Sequence, residues 1–216
     1  MEAIPRTLYT ADWITIVLFT SVFFLVLAKS FFYARFLNYI ILPFNNKYIF
    51  IYSKKDMLFN WFNVFLTVFQ LLNCSLFIYL AWNILAGSGT GNNPKMFLMI
   101  GGSLILFLLA KIFLQLGNGF VFNTNRVIAE FIFKKLSYFN YSGLVMFLAN
   151  ITLAYVLRES ASVVYIALGL ILFINGMGLA LLIKNHQNFI TANFFYFILY
   201  LCALEIAPLV IIGSYI

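Results

Sequence analysis

Apolar residues fall into six long runs separated by short polar stretches, and the runs cover residues 13–28, 59–86, 96–116, 138–157, 163–183 and 190–216. A helix needs about 20 apolar residues to cross the hydrocarbon core of a bilayer. Leu, Phe and Ile recur on every helical face of these runs, without the strict alternation of a membrane β-strand. The pattern predicts an all-α, polytopic membrane protein with six transmembrane helices in a single bundle spanning residues 1–216.

Composition supports a membrane protein, since 64% of the residues are hydrophobic and only 9% are charged. A soluble domain carries about 25% charged residues. The formal net charge of +7 comes from Lys and Arg in a few loops, with no basic stripe of the kind that binds nucleic acid. We therefore expect membrane lipids as partners and no nucleic acid.

The basic residues also predict an orientation. Those in the links after the first, third and fifth runs are Lys29, Arg35, Lys47, Lys54, Lys55, Lys111, Arg126, Lys134, Lys135 and Lys184. Only Arg6, Lys95 and Arg158 lie on the other side. The positive-inside rule places the basic side in the cytoplasm. Both termini then face away from the cytoplasm, and the six spans form three hairpins.

The first two cytoplasmic links, residues 31–42 and 125–136, mix aromatic residues with spaced charges. This pattern predicts amphipathic segments lying in the membrane surface; the alternative is that both extend the preceding spans. Pro43 disfavours helix at the residue before it, which predicts a helix break at Asn45 and Asn46. Asn45, Asn46, Lys47, Lys54 and Lys55 are the predicted contact with a partner protein or with anionic lipid.

A weak internal repeat draws attention to polar residues inside the spans. Gln70 and Asn150 each lie ten residues beyond an Asn that opens their run, and Glu205 lies twelve residues beyond Asn193. A carboxyl group near mid-membrane needs pairing, hydration or protonation. Gln70, Asn150, Asn193 and Glu205 are therefore candidates for an intramembrane proton or cation site. The alternative is that Glu205 is structural and hydrogen-bonds a neighbouring helix or subunit.

Other polar and small residues in the spans favour packing roles. The amides of Asn73, Gln115 and Asn175, like those of Gln70 and Asn150, are expected to join helices by hydrogen bonds. Gly169, Gly176 and Gly178 would allow a close helix approach along the fifth run. Lys111, a possible partner for Glu205, lies near the end of its span, where a lysine usually extends to the interface.

No catalytic constellation is recognisable in the sequence. Nucleotide-binding loops, zinc-protease motifs and serine elbows are absent from it, and two Cys and one His are too few ligands for a metal cluster. We expect no enzyme activity, no metal and no cofactor. A lipid-modifying enzyme would need polar residues gathered at the interface, for which the segment containing Asn45, Asn46, Lys47 and Asp56 is the nearest approach.

Three segments resemble a Bacteroidetes membrane family, domain of unknown function 4271. They are residues 42–48 (LPFNNKY), 59–63 (FNWFN) and 200–209 (YLCALEIAPL). The resemblance implies a bacterial inner-membrane protein and supplies no activity. Together with the absence of catalytic motifs, it favours a non-enzymatic subunit or accessory of an inner-membrane complex, such as a phylum-specific secretion or gliding assembly. The alternative is a small proton- or ion-coupled transporter that uses Glu205.

Overall fold

The computed structural model describes residues 12–43, 47–52, 60–85, 93–121, 125–157 and 160–185, and every regular element among them is helical. The helices are α1 (Asp12–Phe31), α2 (Tyr33–Ile40), α3 (Lys47–Tyr52), α4 (Trp61–Leu85), α5 (Pro94–Val121), α6 (Asn125–Ile151) and α7 (Ala161–Asn185). A single π-helical segment, Thr152–Val156, continues α6.

Five helical stretches are long and apolar enough to cross a membrane: Asp12–Phe31, Trp61–Leu85, Pro94–Gly117, Ala129–Val156 and Ala161–Leu181. They confirm the first five predicted spans as apolar helices. The sixth, residues 190–216, lies outside the described residues, as do both termini. Six spans, three hairpins and the orientation therefore remain predictions.

Local sequence explains where two of these helices begin. The Asn60 side chain accepts a 3.2 Å hydrogen bond from the Phe62 N–H, which caps α4 because the first turn of a helix has no internal partner for its N–H groups. Pro94 opens α5, at a position where its missing N–H costs nothing.

Helices α4 and α6 form the centre of the described bundle. Their most apolar stretches are 50% and 44% buried, compared with 17% for α1, 6% for α5 and 22% for α7. Helix α4 packs against α1, α5 and α6, and α6 also packs against α5 and α7. The central pair runs parallel, since Asn140 meets Thr67 and, further along both helices, Asn150 meets Asn73.

The first link contains the separate short helix that the sequence predicts. Helix α2 follows a break at Phe32, where φ is −133° and ψ is 51°. It ends at Ile40, and the Leu42 N–H donates to the Tyr39 carbonyl oxygen at 3.0 Å within a turn over residues 41–43. Helix is therefore interrupted around Pro43, which confirms the predicted break. Asn45 and Asn46 lie outside the described residues.

The prediction for the second link is wrong. Residues 125–136 form neither a separate surface helix nor an extension of the preceding span, because α6 runs unbroken from Asn125 into the following span. Phe131 and Phe133 are buried, and Lys134 is only 3% exposed. The stretch contains no Pro or Gly, and α3 covers it by stacking Tyr48 on Phe133 at 5.9 Å between ring centroids. The predicted pairing of Glu130 with Lys134 is present at 2.8 Å.

Helices α2 and α3 form what we call the α2–α3 cap over one end of α4 and α6. Tyr39 is its centre: its ring centroid lies 5.5 Å from that of Tyr48, 5.9 Å from Phe62 and 5.7 Å from Tyr141. The Tyr141 hydroxyl also donates to the Ile40 carbonyl oxygen at 3.2 Å, which ties α6 to the end of α2. The Tyr39 hydroxyl is buried and has no hydrogen-bond partner.

We expect Tyr39→Phe to leave stability unchanged or raise it, because it removes a hydroxyl whose burial costs roughly 1–3 kcal/mol without a partner. Tyr39→Ala should instead cost about 3–5 kcal/mol, since it empties the centre of the cap. Apparent melting temperatures in one detergent would measure both changes. A large loss in Tyr39→Phe would show that the hydroxyl has a partner.

The dependence of stability on alkaline pH is a second test of the buried Tyr39 hydroxyl. Burial raises the pKa of Tyr39 well above its ordinary value of 10.0, and the neighbouring Tyr48 and Tyr141 raise it further. A group whose pKa is raised by folding contributes stability that is fully present below the unfolded pKa and is lost as pH rises through the folded pKa. Tyr39→Phe should therefore reduce the fall in melting temperature above pH 10.

Candidate functional site: a buried amide seam

Polar side chains line the contact between the two central helices, and we call them the amide seam. Its members are Thr67, Gln70 and Asn73 of α4 and Asn140, Ser142 and Asn150 of α6. The three α4 residues are three positions apart, which places them along one side of the helix. Asn73 is twelve residues from either end of α4, so the seam reaches the middle of that span.

At the end of the seam nearer the cap, the Asn140 Nδ2 donates to the Thr67 hydroxyl at 3.1 Å. That hydroxyl donates its own hydrogen to the Asn63 carbonyl oxygen at 2.8 Å. Since Thr67 has already used its hydrogen, it can only accept from Asn140. The nitrogen of the Asn140 amide must therefore face Thr67.

One turn further along, the Gln70 Nε2 lies 3.4 Å from the Ser142 hydroxyl and 3.6 Å from the Met146 sulfur. The Ser142 hydroxyl donates to the Phe139 carbonyl oxygen at 2.6 Å. Ser142 is thus an acceptor toward Gln70, as Thr67 is toward Asn140. The orientation of the Gln70 amide is fixed in the same way.

At mid-span the seam bonds to the backbone. The Asn150 Nδ2 donates to the Asn73 carbonyl oxygen at 2.9 Å, and the Asn73 Nδ2 donates to the Phe69 carbonyl oxygen at 2.8 Å. Backbone carbonyl oxygens accept only, so neither amide can be turned over without placing oxygen against oxygen. Asn150 therefore joins α6 to α4, whereas the Asn73 side chain bonds within its own helix.

None of the four amide oxygens of the seam has a hydrogen-bond partner within the part of the chain that the structure describes. They are Gln70 Oε1, Asn73 Oδ1, Asn140 Oδ1 and Asn150 Oδ1. Each side chain is at least 98% buried. Each amide nitrogen has at least one acceptor, whereas the amide oxygens have no described donor, so acceptors are left unpaired in the seam. A buried polar group in this condition costs roughly 1–3 kcal/mol.

A glycine makes room for one of these oxygens. A Cβ atom at Gly143 would come 3.2 Å from the Phe69 ring, and it would overlap Gln70 Oε1. Gln70 Oε1 therefore occupies the space that any side chain at Gly143 would need. Gly143 allows α4 and α6 to approach while the Gln70 amide stays between them.

Two of the sequence-predicted site residues, Gln70 and Asn150, come together in this seam. Asn193 and Glu205 lie outside the described residues, as do Asn45, Asn46, Lys54 and Lys55. Lys47 begins α3, and its side chain is not described. The structure thus brings together one half of the predicted intramembrane set.

The other residues predicted to join helices, Gln115 and Asn175, have different surroundings. The Asn175 Nδ2 bonds the Ile171 carbonyl oxygen of its own helix at 2.8 Å, so its predicted bond to a neighbouring helix is absent from the described contacts. Gln115 is buried, and its Nε2 has no hydrogen-bond partner among the described residues. The Lys111 Nζ lies 5.8 Å from the centroid of the Phe107 ring.

The prediction for the glycines of α7 is right for one of three. A Cβ at Gly178 would lie 2.6 Å from Cγ of Tyr138, which confirms a close approach of α7 to α6. At Gly169 and Gly176 a Cβ would have no described atom within 4 Å, so no described helix approaches them closely and the prediction stays open for these two. Gly169 and Gly176 lie on a different side of α7 from the contact.

Sequence reasoning missed Thr67, Asn140, Ser142 and Gly143 as parts of the site. A signal for the α4 half was available, because Asn63, Thr67 and Gln70 repeat at helical spacing in an otherwise apolar run. Ser142 and Gly143 are ordinary residues of a membrane helix, and only the contact distinguishes them. Among the described residues, no group of three or more His, Cys, Asp or Glu could hold a metal ion.

The described residues form an all-helical bundle with a polar contact at its centre, and its five long apolar helices are compatible with a polytopic membrane protein. The chain belongs to the family of the domain of unknown function DUF4271, whose model matches residues 14–216. No curated protein and no solved structure matches the chain.

Proposed function

We propose that the protein is a non-enzymatic subunit or accessory of a bacterial inner-membrane complex, and that the α2–α3 cap is its attachment surface. The observation that carries this proposal is that α2 has two apolar faces. Phe36 and Tyr39 are buried against the bundle, while Tyr33, Leu37 and Ile40 are exposed. An amphipathic helix that served only to close the bundle would need the first face alone.

The second face is ordered and basic at its edges. Tyr33, Leu37 and Ile40 follow the i, i+4, i+7 spacing of one helical stripe. The Arg35 guanidinium lies 4.6 Å from the centroid of the Tyr52 ring, which holds α2 against α3. Lys29, at the end of α1, is exposed. A partner with an apolar ridge and acidic neighbours would complement this surface. Assignment to a secretion or gliding assembly of Bacteroidetes extends this proposal.

Site-specific photocrosslinking in the native cell tests the attachment surface. A photoreactive amino acid at Tyr33 or Leu37 should give a protein adduct of one defined mass, and that protein should co-purify stoichiometrically in mild detergent. The same amino acid at Leu172, an exposed residue of α7, serves as the control and should give lipid adducts. Lipid adducts alone at all three positions, with a monomeric purified protein, would refute the proposal.

The proposed topology places both termini in the periplasm and the cap in the cytoplasm, on the basis of the charge distribution. After replacement of Cys74 and Cys202 by Ala, an impermeant thiol reagent applied to intact spheroplasts should label Ser88→Cys. It should label Lys54→Cys only after the membrane is permeabilised. The opposite pattern would reverse the orientation.

The amide seam supports a second candidate, a small proton- or ion-coupled transporter that uses Glu205. Gln70 and Asn150 lie in the seam at mid-span, where a permeating ion would need oxygen ligands. In this proposal Asn193 and Glu205 complete the path. Glu205→Gln should then abolish transport as completely as Glu205→Leu. If Glu205 is structural, Gln should be tolerated and Leu should not, because Gln keeps the hydrogen bonds.

A further inference from the structure

We infer that the amide seam binds a hard monovalent cation, Na⁺ or K⁺, between α4 and α6. The inference rests on the four amide oxygens of Gln70, Asn73, Asn140 and Asn150 and requires neither Glu205 nor transport. It is independent of the attachment surface proposed for the cap.

The chemistry of the seam selects the ligand. Its four oxygens are buried and have no partner among the described residues, while each amide nitrogen has at least one acceptor. A ligand of these oxygens must therefore supply positive charge or donated hydrogens. Neutral carbonyl-type oxygens replace the hydration shell of monovalent cations in ion channels, whereas Ca²⁺ sites rely largely on carboxylates.

The four amides follow one another along the contact between α4 and α6. Thr67, Gln70 and Asn73 cover six residues of α4, or about 9 Å of rise. Gln70 and Asn73 are one turn apart, and the Asn150 amide is held against the Asn73 backbone. These three form the centre of the proposed site, and Asn140 lies about one turn nearer the cap.

The surroundings make filling the seam favourable. The four amides lie at the contact between the two most buried helices of the described bundle. Inside the hydrocarbon core no bulk water is present to hydrogen-bond an unpaired polar atom. Gly143 lets Gln70 Oε1 lie within the contact, in the space that a side chain at Gly143 would fill. A cation bound by Gln70, Asn73 and Asn150 would offset the cost of their unpaired oxygens. A water molecule, which has two hydrogens, could donate to only two of them.

The test uses the purified full-length protein in nanodiscs of neutral phospholipid. Its melting temperature is followed while choline chloride is exchanged for NaCl or KCl at constant ionic strength. We expect a saturable rise of about 5 °C or more at a concentration a hundredfold above the dissociation constant. Calorimetric titration of the unmodified protein with NaCl or KCl should give the same constant.

Matched variants locate the ion. Gln70→Met keeps the side-chain volume and removes Oε1, so the rise should fall by at least half; Asn150→Leu should do the same. Gln115→Met is the control, because the unpaired atom of that buried amide is a nitrogen. The rise in its melting temperature should equal that of the wild type.

Equal melting temperatures in Na⁺, K⁺ and choline, with no calorimetric signal, would show that water alone fills the seam and would overturn the inference. A rise that is unchanged in both seam variants would place the ion elsewhere and overturn it equally.

Discussion

Gly178→Ala should lower the apparent melting temperature by about 2–12 °C, one of the two largest effects we expect from a single methyl group. The added Cβ would lie 2.6 Å from Cγ, 2.8 Å from Cδ2 and 2.9 Å from Cβ of Tyr138. Rotation about χ1 would move Cγ and Cδ2 of Tyr138 but not its Cβ, so α7 must still move away from α6. Overpacking of this kind costs about 1–3 kcal/mol, and each kcal/mol shifts the melting temperature of a chain this size by about 2–4 °C.

Gly176→Ala is the matched control on the same helix. A Cβ there has no atom within 4 Å, and Ala is favoured over Gly inside a helix by up to about 1 kcal/mol. Its melting temperature should equal or exceed that of the wild type. Similar losses in the two variants would mean that glycine flexibility, rather than contact with Tyr138, matters in α7.

Gly143→Ala should also destabilise the protein, by about 1–3 kcal/mol, because its Cβ would overlap Gln70 Oε1 and approach the Phe69 ring to 3.2 Å. Here the nearest obstacle is the end of a flexible side chain. The Gln70 amide can rotate away, but it then loses its described partners, the Ser142 hydroxyl and the Met146 sulfur. The loss should therefore depend on the presence of Gln70.

A double-mutant cycle measures that dependence. Gln70→Ala removes the clash together with the amide, so Gly143→Ala should cost markedly less in a Gln70→Ala background, and the melting temperatures of the four proteins give the coupling energy. Gly102→Ala on α5, where a Cβ meets no atom within 4 Å, controls for the general effect of the substitution. Additive losses would show that Gln70 does not occupy the space over Gly143.

The five described spans could be predicted from sequence because lipid imposes a simple requirement: a spanning segment must be apolar over about 20 residues and must bond its backbone internally. The break at Pro43 was predictable for a similar reason, since proline restricts the residue before it whatever surrounds them. Such rules act locally. They need no knowledge of which helix lies next to which.

The second link shows where local rules fail. Glu130 and Lys134 pair at i, i+4 in a surface helix and in an extension of α6 alike, so the spacing cannot distinguish them. What decides is that α3 covers Phe133, a contact between distant segments. Gly176 and Gly178 likewise cannot be distinguished by local rules: they are two residues apart, and of the two only Gly178 meets a described neighbour, Tyr138 of α6. The Gln70 and Asn150 amides were found because a polar group inside a span is unusual, but their partners depend on how α4 and α6 align.

The unbroken course of α6 has a mechanical consequence. From Asn125 through the π-helical segment to Val156 it covers 32 residues, or about 48 Å at 1.5 Å per residue, against a hydrocarbon core of about 30 Å. If the membrane span ends near Val156 and the helix is not strongly tilted, about 18 Å of α6 extends beyond the hydrocarbon core at the end that packs against the α2–α3 cap. One continuous α-helix joins this end to Asn140 and Asn150, so the two parts move together. A displacement of this end would therefore be carried along α6 to Asn140 and Asn150 in the amide seam.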